Sequence, residues 1–408
     1  MAHRSPFAPA RFPDLPPVEG VRLAAGGAGI RYRGRPDLML AVFPPGTAAA
    51  GVFTRSAVRG HPVLWCERIR PRHAARALVV NAGNANVFRG AEGDRAVART
   101  AECAAALAGC GPEEVWVAST GVIGERLPVE RIEATLPALF AALRPDAFED
   151  AARAIMTTDT YPKGAARTVV LDGEEVRISG IAKGSGMIAP DMATMLAFLF
   201  TDARIDGPLL QALLAQASGR TFDCITVDGD TSTSDMACVF ATCVRGPRLS
   251  DPEAPATRAF AAALEEVCRD LALQIVRDGE GISKAVEIRV AGAVDDGSAR
   301  RIGLTVANSP LVKTAIAGGD PNWGRVVAAV GRSGEPVDPR RLSVAFGGTV
   351  VARDGAAVPD LDEAPLRAHL AGREVLIEIT VGDGPGRAVV WTCDLTHAYI
   401  DINASYRS

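Results

Sequence analysis

Five short stretches of this 408-residue chain gather the residue types that catalysis uses. Thr194 stands between a glycine-bearing turn, Gly184-Ser185-Gly186, and an apolar run from Met195 to Phe200. A threonine hydroxyl entering a core needs a hydrogen-bond partner; given a base, it is a nucleophile. On residue types alone the plainer reading is a core threonine at the start of a strand. Thr120-Gly121 follows the apolar run Val115 to Ala118. A glycine at a strand end exposes backbone N–H groups that can hold an oxyanion, although a turn glycine with a capping threonine has the same composition. Thr157-Thr158-Asp159-Thr160 can cap a helix or hold the polar head of an amino acid. Glu280 lies between Gly279 and Gly281 and suits either a substrate ammonium or an ordinary solvated turn. Asp228 and Asp230 are two residues apart, so both carboxylates point the same way from an extended strand.

The elements that must position these groups follow from periodicity. Apolar runs at Leu38 to Phe43, Ala77 to Val80, Val115 to Ala118 and Met195 to Phe200 predict buried strands. Arg167 to Leu171 and Glu175 to Ile181 predict a hairpin turning at Asp172-Gly173. Helices are predicted over Asp94 to Leu107, capped near Asp94 and stopped at Gly109, over Pro145 to Met156, over Pro208 to Ala217 and over Pro255 to Val276. Further strands are expected at Ala285 to Val290, Leu342 to Phe346, Val375 to Val381 and Ala388 to Cys393, with a helix near Leu366. Mixed strands and helices of this kind argue an α/β or α+β class. Residues 1–18 are Pro-rich and read as a loose arm with no signal-peptide core.

Composition bounds the function. A formal net charge of −4 gives no global basic field for nucleic acid, and no apolar run reaches the ~18 residues of a membrane span. The eight cysteines form no Cys-x-x-Cys pair and the five histidines no His-Glu-x-x-His, so no metal site is expected. Scattered cysteines suit reduced cytosolic thiols. Only Lys163, Lys183, Lys284 and Lys313 stand against the arginines among the 44 basic residues, the bias of a GC-rich bacterial genome. Lysines that persist against it are either places where a planar guanidinium cannot replace a compact ammonium or chance survivors of the bias.

Lys183-Gly-Ser-Gly-Met-Ile-Ala-Pro-Asp-Met-Ala-Thr-Met-Leu resembles the signature of the ornithine acetyltransferase family of arginine biosynthesis, and similarity extends from about Gly20 to the C-terminus. The resemblance implies an N-terminal-nucleophile enzyme with a layered α-β-β-α sandwich and a smaller C-terminal α/β part. It implies self-cleavage between Ala193 and Thr194, giving chains 1–193 and 194–408 that form one folded unit. Thr194 becomes the nucleophile, Thr120 and Gly121 the oxyanion hole, and Thr157, Lys183, Thr194, Glu280, Asn403 and Ser408 the substrate contacts. Asn81 to Asn86 resembles a family loop, but Val87 to Gly90 departs from its small residues, as Arg407 does near the C-terminus.

The implied reaction moves an acetyl group from N-acetylornithine to glutamate in ping-pong fashion. It needs no cofactor, and acetyl-CoA is a further donor that the resemblance admits. A cytoplasmic heterotetramer, two of each product chain, is expected from the family alone. Two rivals stand beside this reading. Asp228-Gly-Asp230-Thr-Ser232, read as a strand end, resembles the nucleophile motif of Mg²⁺-dependent haloacid-dehalogenase-type phosphatases. The other rival is a non-catalytic amino-acid-binding relative.

Overall fold

The computed structural model describes residues 4–189 and 195–404. In chain order the larger part comprises β1 (Arg22–Gly26), β2 (Leu38–Val42), β3 (Ala48–Phe53), α1 (His61–Ile69), β4 (Ala77–Asn84), α2 (Gly90–Ala108), β5 (Val115–Val122), α3 (Val129–Ala141), α4 (Phe148–Ala154), β6 (Lys163–Leu171), β7 (Glu174–Lys183), β8 (Leu196–Ile205), α5 (Gly207–Arg220), β9 (Met236–Leu249) and α6 (Pro255–Val276). One sheet runs β1-β2-β4-β5 and a second β3-β9-β8-β7-β6.

Strand alternation builds the layers. Met39, Ala41 and Phe43 point one way from β2 and its end, and meet Phe198, Phe200 and Phe240 of the second sheet in a core between the sheets. Leu38, Leu40 and Val42 point the other way, onto α2 and α3. Ala197, Leu199 and Val239 likewise leave the second sheet's outer face for α5 and α6. The result is helix, sheet, sheet, helix, and the layered α-β-β-α sandwich that the family resemblance implies is the architecture found.

The smaller part follows α6. It holds β10 (Ala285–Ala293), α7 (Asp296–Ala307), α8 (Pro310–Ala317), α9 (Trp323–Gly331), β11 (Ser343–Phe346), β12 (Thr349–Arg353), β13 (Ala356–Ala357), α10 (Ala364–Ala371), β14 (Glu374–Thr380) and β15 (Gly386–Cys393). Its sheet runs β13-β12-β11-β14-β10-β15 around a core of its own. A last helix, α11 (His397–Asn403), returns to the larger part.

Three expectations are corrected. Helix α2 begins at Gly90, not near Asp94, whose carboxylate instead pairs with His61 Nδ1 at 2.7 Å. The Asp228 stretch is not a strand end; only Ile225 bridges, to Trp391. The N-terminal arm lacks helix and strand over residues 4–18 yet is tied down. Ser5 N–H donates to Thr160 Oγ1 at 2.9 Å, and Phe12 lies where a Cβ on Gly164 would come within 2.5 Å of its ring.

The inter-sheet core rests on aromatic stacking. Phe240 stacks on Phe43 with centroids 4.8 Å apart and meets Trp116 edge-on at 5.6 Å. Phe240→Ala is expected to cost about 3–5 kcal/mol, read as a lowered midpoint in thermal or denaturant unfolding. Val170→Ala, at a 61 % exposed position, is the control that leaves the midpoint in place.

Candidate active site

The two sheets bring β5 and β7 to one pocket. Parallel pairing of β4 with β5 sets Gly83 opposite Gly121. Gly121 has φ +129°, and a Cβ there would lie 2.4 Å from the Gly83 carbonyl carbon, so no other residue fits. Thr120, one residue earlier and buried, accepts a hydrogen bond from Lys183 Nζ at 3.1 Å. Lys183 ends β7 and is buried with no carboxylate in direct contact among the described residues; burial and the like charge of Lys163 hold its pKa below the ordinary lysine range against the pull of Asp159, Asp235 and Glu280.

Behind it lies a buried ion cluster. Lys163 Nζ sits 2.7 Å from Asp159 Oδ1 and 2.6 Å from Asp278 Oδ2, with all three side chains fully enclosed. Burial disfavours the Lys163 charge, but the two carboxylates overcome it and hold the ammonium well above its ordinary value. Burial opposes the Asp159 charge too. Lys163, Lys183 and the Gly184 N–H, which donates at 2.7 Å, together hold it ionised well below the usual carboxylate range. Asp278 goes the other way, pushed up by burial, with Asp159 adding to the push. The cluster fixes the surrounding loops. Thr157 N–H donates to Asp159 at 2.9 Å, and Ser185 Oγ donates to the Asp278 carbonyl at 2.6 Å.

The far wall comes from the turn after α6 and from α11. Glu280 N–H donates to the Ser185 carbonyl at 3.1 Å, and its carboxylate accepts from Asn403 Nδ2 at 2.7 Å. Gly186 leaves the room that carboxylate occupies, because a Cβ there would come within 2.4 Å of it. Thr120, Gly121, Thr157, Lys183, Glu280 and Asn403 thus line one pocket. Ala193, Thr194 and Ser408 lie outside the described residues.

Sequence reasoning missed part of the wall. Thr158, Ser232, Thr233 and Ser234 also line the pocket. The signal available was the run of hydroxyls from Thr231 to Ser234, directly before β9. The segment from Thr226 to Asp235 holds both sides of residues 190–194. Val227 N–H and Thr226 Oγ1 donate to the Ile188 carbonyl at 2.8 and 2.9 Å. Asp228 accepts from Met187 N–H at 2.6 Å and from Ile188 N–H at 2.9 Å. On the other side Met195 N–H donates to Asp235 Oδ1 at 2.8 Å. Asp228 is therefore taken up by backbone donors and by the Tyr399 hydroxyl at 3.3 Å, while Asp230 is exposed. Among the described residues no group of three or more His, Cys, Asp or Glu side chains could hold a metal ion.

Chemically, the pocket offers a hydroxyl whose proton is free to donate, since Thr120 Oγ1 already accepts from Lys183. It also offers a carboxylate on the opposite wall for a cationic ligand, and amide and hydroxyl groups between them.

The sequence model of the ArgJ family matches residues 22–408. The chain is 58% identical over 397 residues to the arginine biosynthesis bifunctional protein ArgJ of Gluconobacter oxydans, covering 97% of this chain and 94% of that protein. It is 55% identical over 406 residues to the protein of the same description from Ruegeria pomeroyi, covering 99% of this chain and 98% of that one. Among solved structures, the arginine biosynthesis bifunctional protein ArgJ of Bacillus halodurans is similar at 41% identity and a TM-score of 0.50, covering 51% of this chain and 98% of that one.

The two buried lysines predict opposite stability behaviour. Lys163→Met strands two buried carboxylates and is expected to cost about 3–5 kcal/mol. Lys183→Met breaks no direct ion pair among the described residues, and Asp159 keeps Lys163 as its partner, so it should cost far less. Because the folded pKa of Lys183 lies below its unfolded value of about 10.4, the unfolded chain binds more protons between the two values. Lys183 therefore makes stability rise with pH across that window and adds no slope below it. Melting curves of both variants from pH 7 to pH 10 check this: that part of the slope disappears in Lys183→Met.

Proposed function

The chain belongs to the ArgJ family, and from that premise we propose that it moves the acetyl group of N-acetylornithine to glutamate, in arginine biosynthesis, through an acetyl-threonine at Thr194. Thr194 becomes the N-terminus of a new chain by self-cleavage after Ala193, so that chains 1–193 and 194–408 remain one folded unit. The observation that carries the reading is convergence. The six pocket residues named above come from β5, the loop before β6, β7, the turn after α6 and α11, and the residues on both sides of 190–194 are anchored at that same pocket. A second support is length. The Bacillus halodurans chain is matched over 98% of itself by 51% of this one, so it is about half as long, as a cleavage product would be.

The chemistry is consistent with these groups. A free α-amine has a reference pKa of about 7.7–8.0 and can take the proton of its own threonine hydroxyl. The hydroxyl oxygen attacks the acetyl carbonyl of N-acetylornithine. The oxyanion that forms is held by Thr120 Oγ–H, turned outward by Lys183, with Gly121 beside it. Ornithine leaves with a proton, glutamate enters the same pocket, and its amine attacks the acetyl-threonine ester to give N-acetylglutamate. Glu280, steadied by Asn403, suits the ornithine ammonium. Thr157, Lys183 and Ser408 complete the amino-acid contacts. The relatives' description as bifunctional supports acetyl-CoA as an alternative donor. Two copies of each product chain in the cytoplasm are the assembly and place this reading expects, and no cofactor enters it.

The phosphatase reading gains no support, since Asp228 is taken up by backbone donors. Intact mass of the purified protein under denaturing conditions should show two chains meeting at Ala193/Thr194. Thr194→Ala should leave one chain without transfer activity, and transfer surviving in that variant sinks the mechanism. A binding relative without catalysis would hold ornithine or glutamate yet never turn over. In the cleaved enzyme Glu280→Gln should raise KM for N-acetylornithine by tenfold or more, equivalent to about 1.4 kcal/mol, as measured by steady-state kinetics.

A further inference from the structure

The arm before β1 reaches the segments that form the pocket. Residues 4–18 hold no helix or strand, yet Ser5 is buried. Ser5 has two donors and gives them to two different segments. Its N–H donates to Thr160 Oγ1 at 2.9 Å, in the loop before β6. Its Oγ donates to the Arg277 carbonyl at the end of α6, where helix carbonyls lack intrahelical partners. The same Oγ accepts the Phe7 N–H at 3.1 Å, which turns the arm at that point. Thr157 lies three residues before Thr160, and Glu280 three residues after Arg277. Ser5 thus grips both pocket segments at the same remove from the side chains they present, and it does not itself line the pocket.

The seat of the arm is built into the fold. Arg373 donates to the Pro6 carbonyl at 3.1 Å, and Phe7 packs against the core under α6. From β7, Ser179 Oγ donates to the Pro16 carbonyl at 2.9 Å and Arg177 to the Pro17 carbonyl at 3.1 Å. Gly164, beside Lys163, leaves the room that Phe12 and Leu15 occupy. The arm is therefore fixed at both ends, and Ser5 is held against the ion cluster.

We infer that Ser5 is a positioning residue for the pocket: through its two hydrogen bonds the arm sets the spacing between the Thr157 loop and the Glu280 turn. The inference rests on the acetyl-transfer reading above for the identity of the ligand. The two segments already cohere without Ser5. Thr160 donates to Asp278 through its N–H and its hydroxyl, and Lys163 joins Asp278 to Asp159. Those charges keep the segments together, but a lysine on a flexible stem tolerates sliding. Two short hydrogen bonds from one residue do not, because their strength falls off with distance and angle. Loss of the Ser5 hydroxyl leaves the cluster paired and the protein folded, and lets the Glu280 turn shift against Thr157.

Ser5→Ala keeps the bond to Thr160 and removes those that use Oγ. Its melting temperature should stay near that of the wild type. KM for N-acetylornithine should rise about threefold to tenfold, the range one lost hydrogen bond commands, with kcat within about twofold. Ser5→Thr restores the hydroxyl and should return KM to near the wild-type value. Without substrate, hydrogen exchange followed by mass spectrometry should be faster in Ser5→Ala at the Thr157, Thr160 and Glu280 amides and unchanged in β8. A Ser5→Ala enzyme with wild-type KM overturns the inference, as does a Ser5→Thr enzyme that keeps the raised KM. Exchange that rises throughout the chain, with a lowered melting temperature, also overturns it by making Ser5 a general stabiliser. A wild-type protein without acetyl transfer brings down the functional reading instead. The exchange comparison then decides the role of Ser5: faster exchange confined to the two segments supports it, and unchanged exchange overturns it.

Discussion

A single buried ammonium, Lys163, shared between Asp159 and Asp278, is the contact on which the pocket depends. Three enclosed charges are costly unless each is paired and the remaining hydrogen-bonding capacity is filled. Here the filling groups are the loops that carry the site. Asp159 takes the Thr157 and Gly184 amides, and Asp278 takes the Thr160 amide at 2.9 Å. Removing the lysine would therefore release the 157–160 loop, the 184–186 turn and the turn carrying Glu280 together. The electrostatic penalty and the positioning of the pocket are the same set of bonds.

The cluster also sets the condition of its neighbour. Lys183 faces Asp159 through the turn at Gly184 but makes its hydrogen bond to Thr120, so its charge is only partly compensated. That arrangement couples the Thr120 side of the pocket to the Asp159 side through one ammonium. The two sheets supply the rigidity. Thr120 and Gly121 belong to one and Lys183 to the other, joined across the aromatic core of Phe43, Phe200 and Phe240.

Much of the scaffold was legible because its signals are local. The long helix over Pro255–Val276 follows from a proline in the first turn and an apolar stripe, and the structure keeps those bounds. The β6–β7 hairpin turns at Asp172 and Gly173, both with positive φ, as its Asp-Gly pair demands. What was not legible depends on partners far along the chain. Asp94 looked like a helix cap, but His61 claims it. The Asp228-Gly-Asp230 stretch alternates like a strand end, yet Asp228 is drawn inward by the amides of Met187 and Ile188, forty residues away in sequence. Ser232 to Ser234 belong to a run of hydroxyls, but the packing of β8 beside β9 is what brings them to the pocket. The resemblance put Thr120, Gly121, Thr157, Lys183, Glu280 and Asn403 into one site, a grouping that no spacing in the sequence conveys.

The four lysines show the same principle from the opposite direction. In a chain otherwise basic through arginine, each lysine reaches enclosed acceptors that a guanidinium would overfill. Lys163 bridges two carboxylates and Lys183 reaches Thr120 Oγ1. Lys313 donates to Thr392 Oγ1 at 3.0 Å and to the Cys393 carbonyl, pinning α8 to the end of β15. Lys284 donates to the Ile316 and Leu370 carbonyls at 2.9 and 2.6 Å, closing the last turns of α8 and α10 at once, where helix carbonyls lack partners and the dipole favours a cation. A tetrahedral ammonium on a thin stem can direct its protons at two or three converging oxygens inside a packed interior. A planar five-donor fork would need more space and would leave donors unsatisfied. Three of the four lysines are buried and Lys284 is half-buried, and each turns its ammonium onto oxygens that a planar fork would match less well.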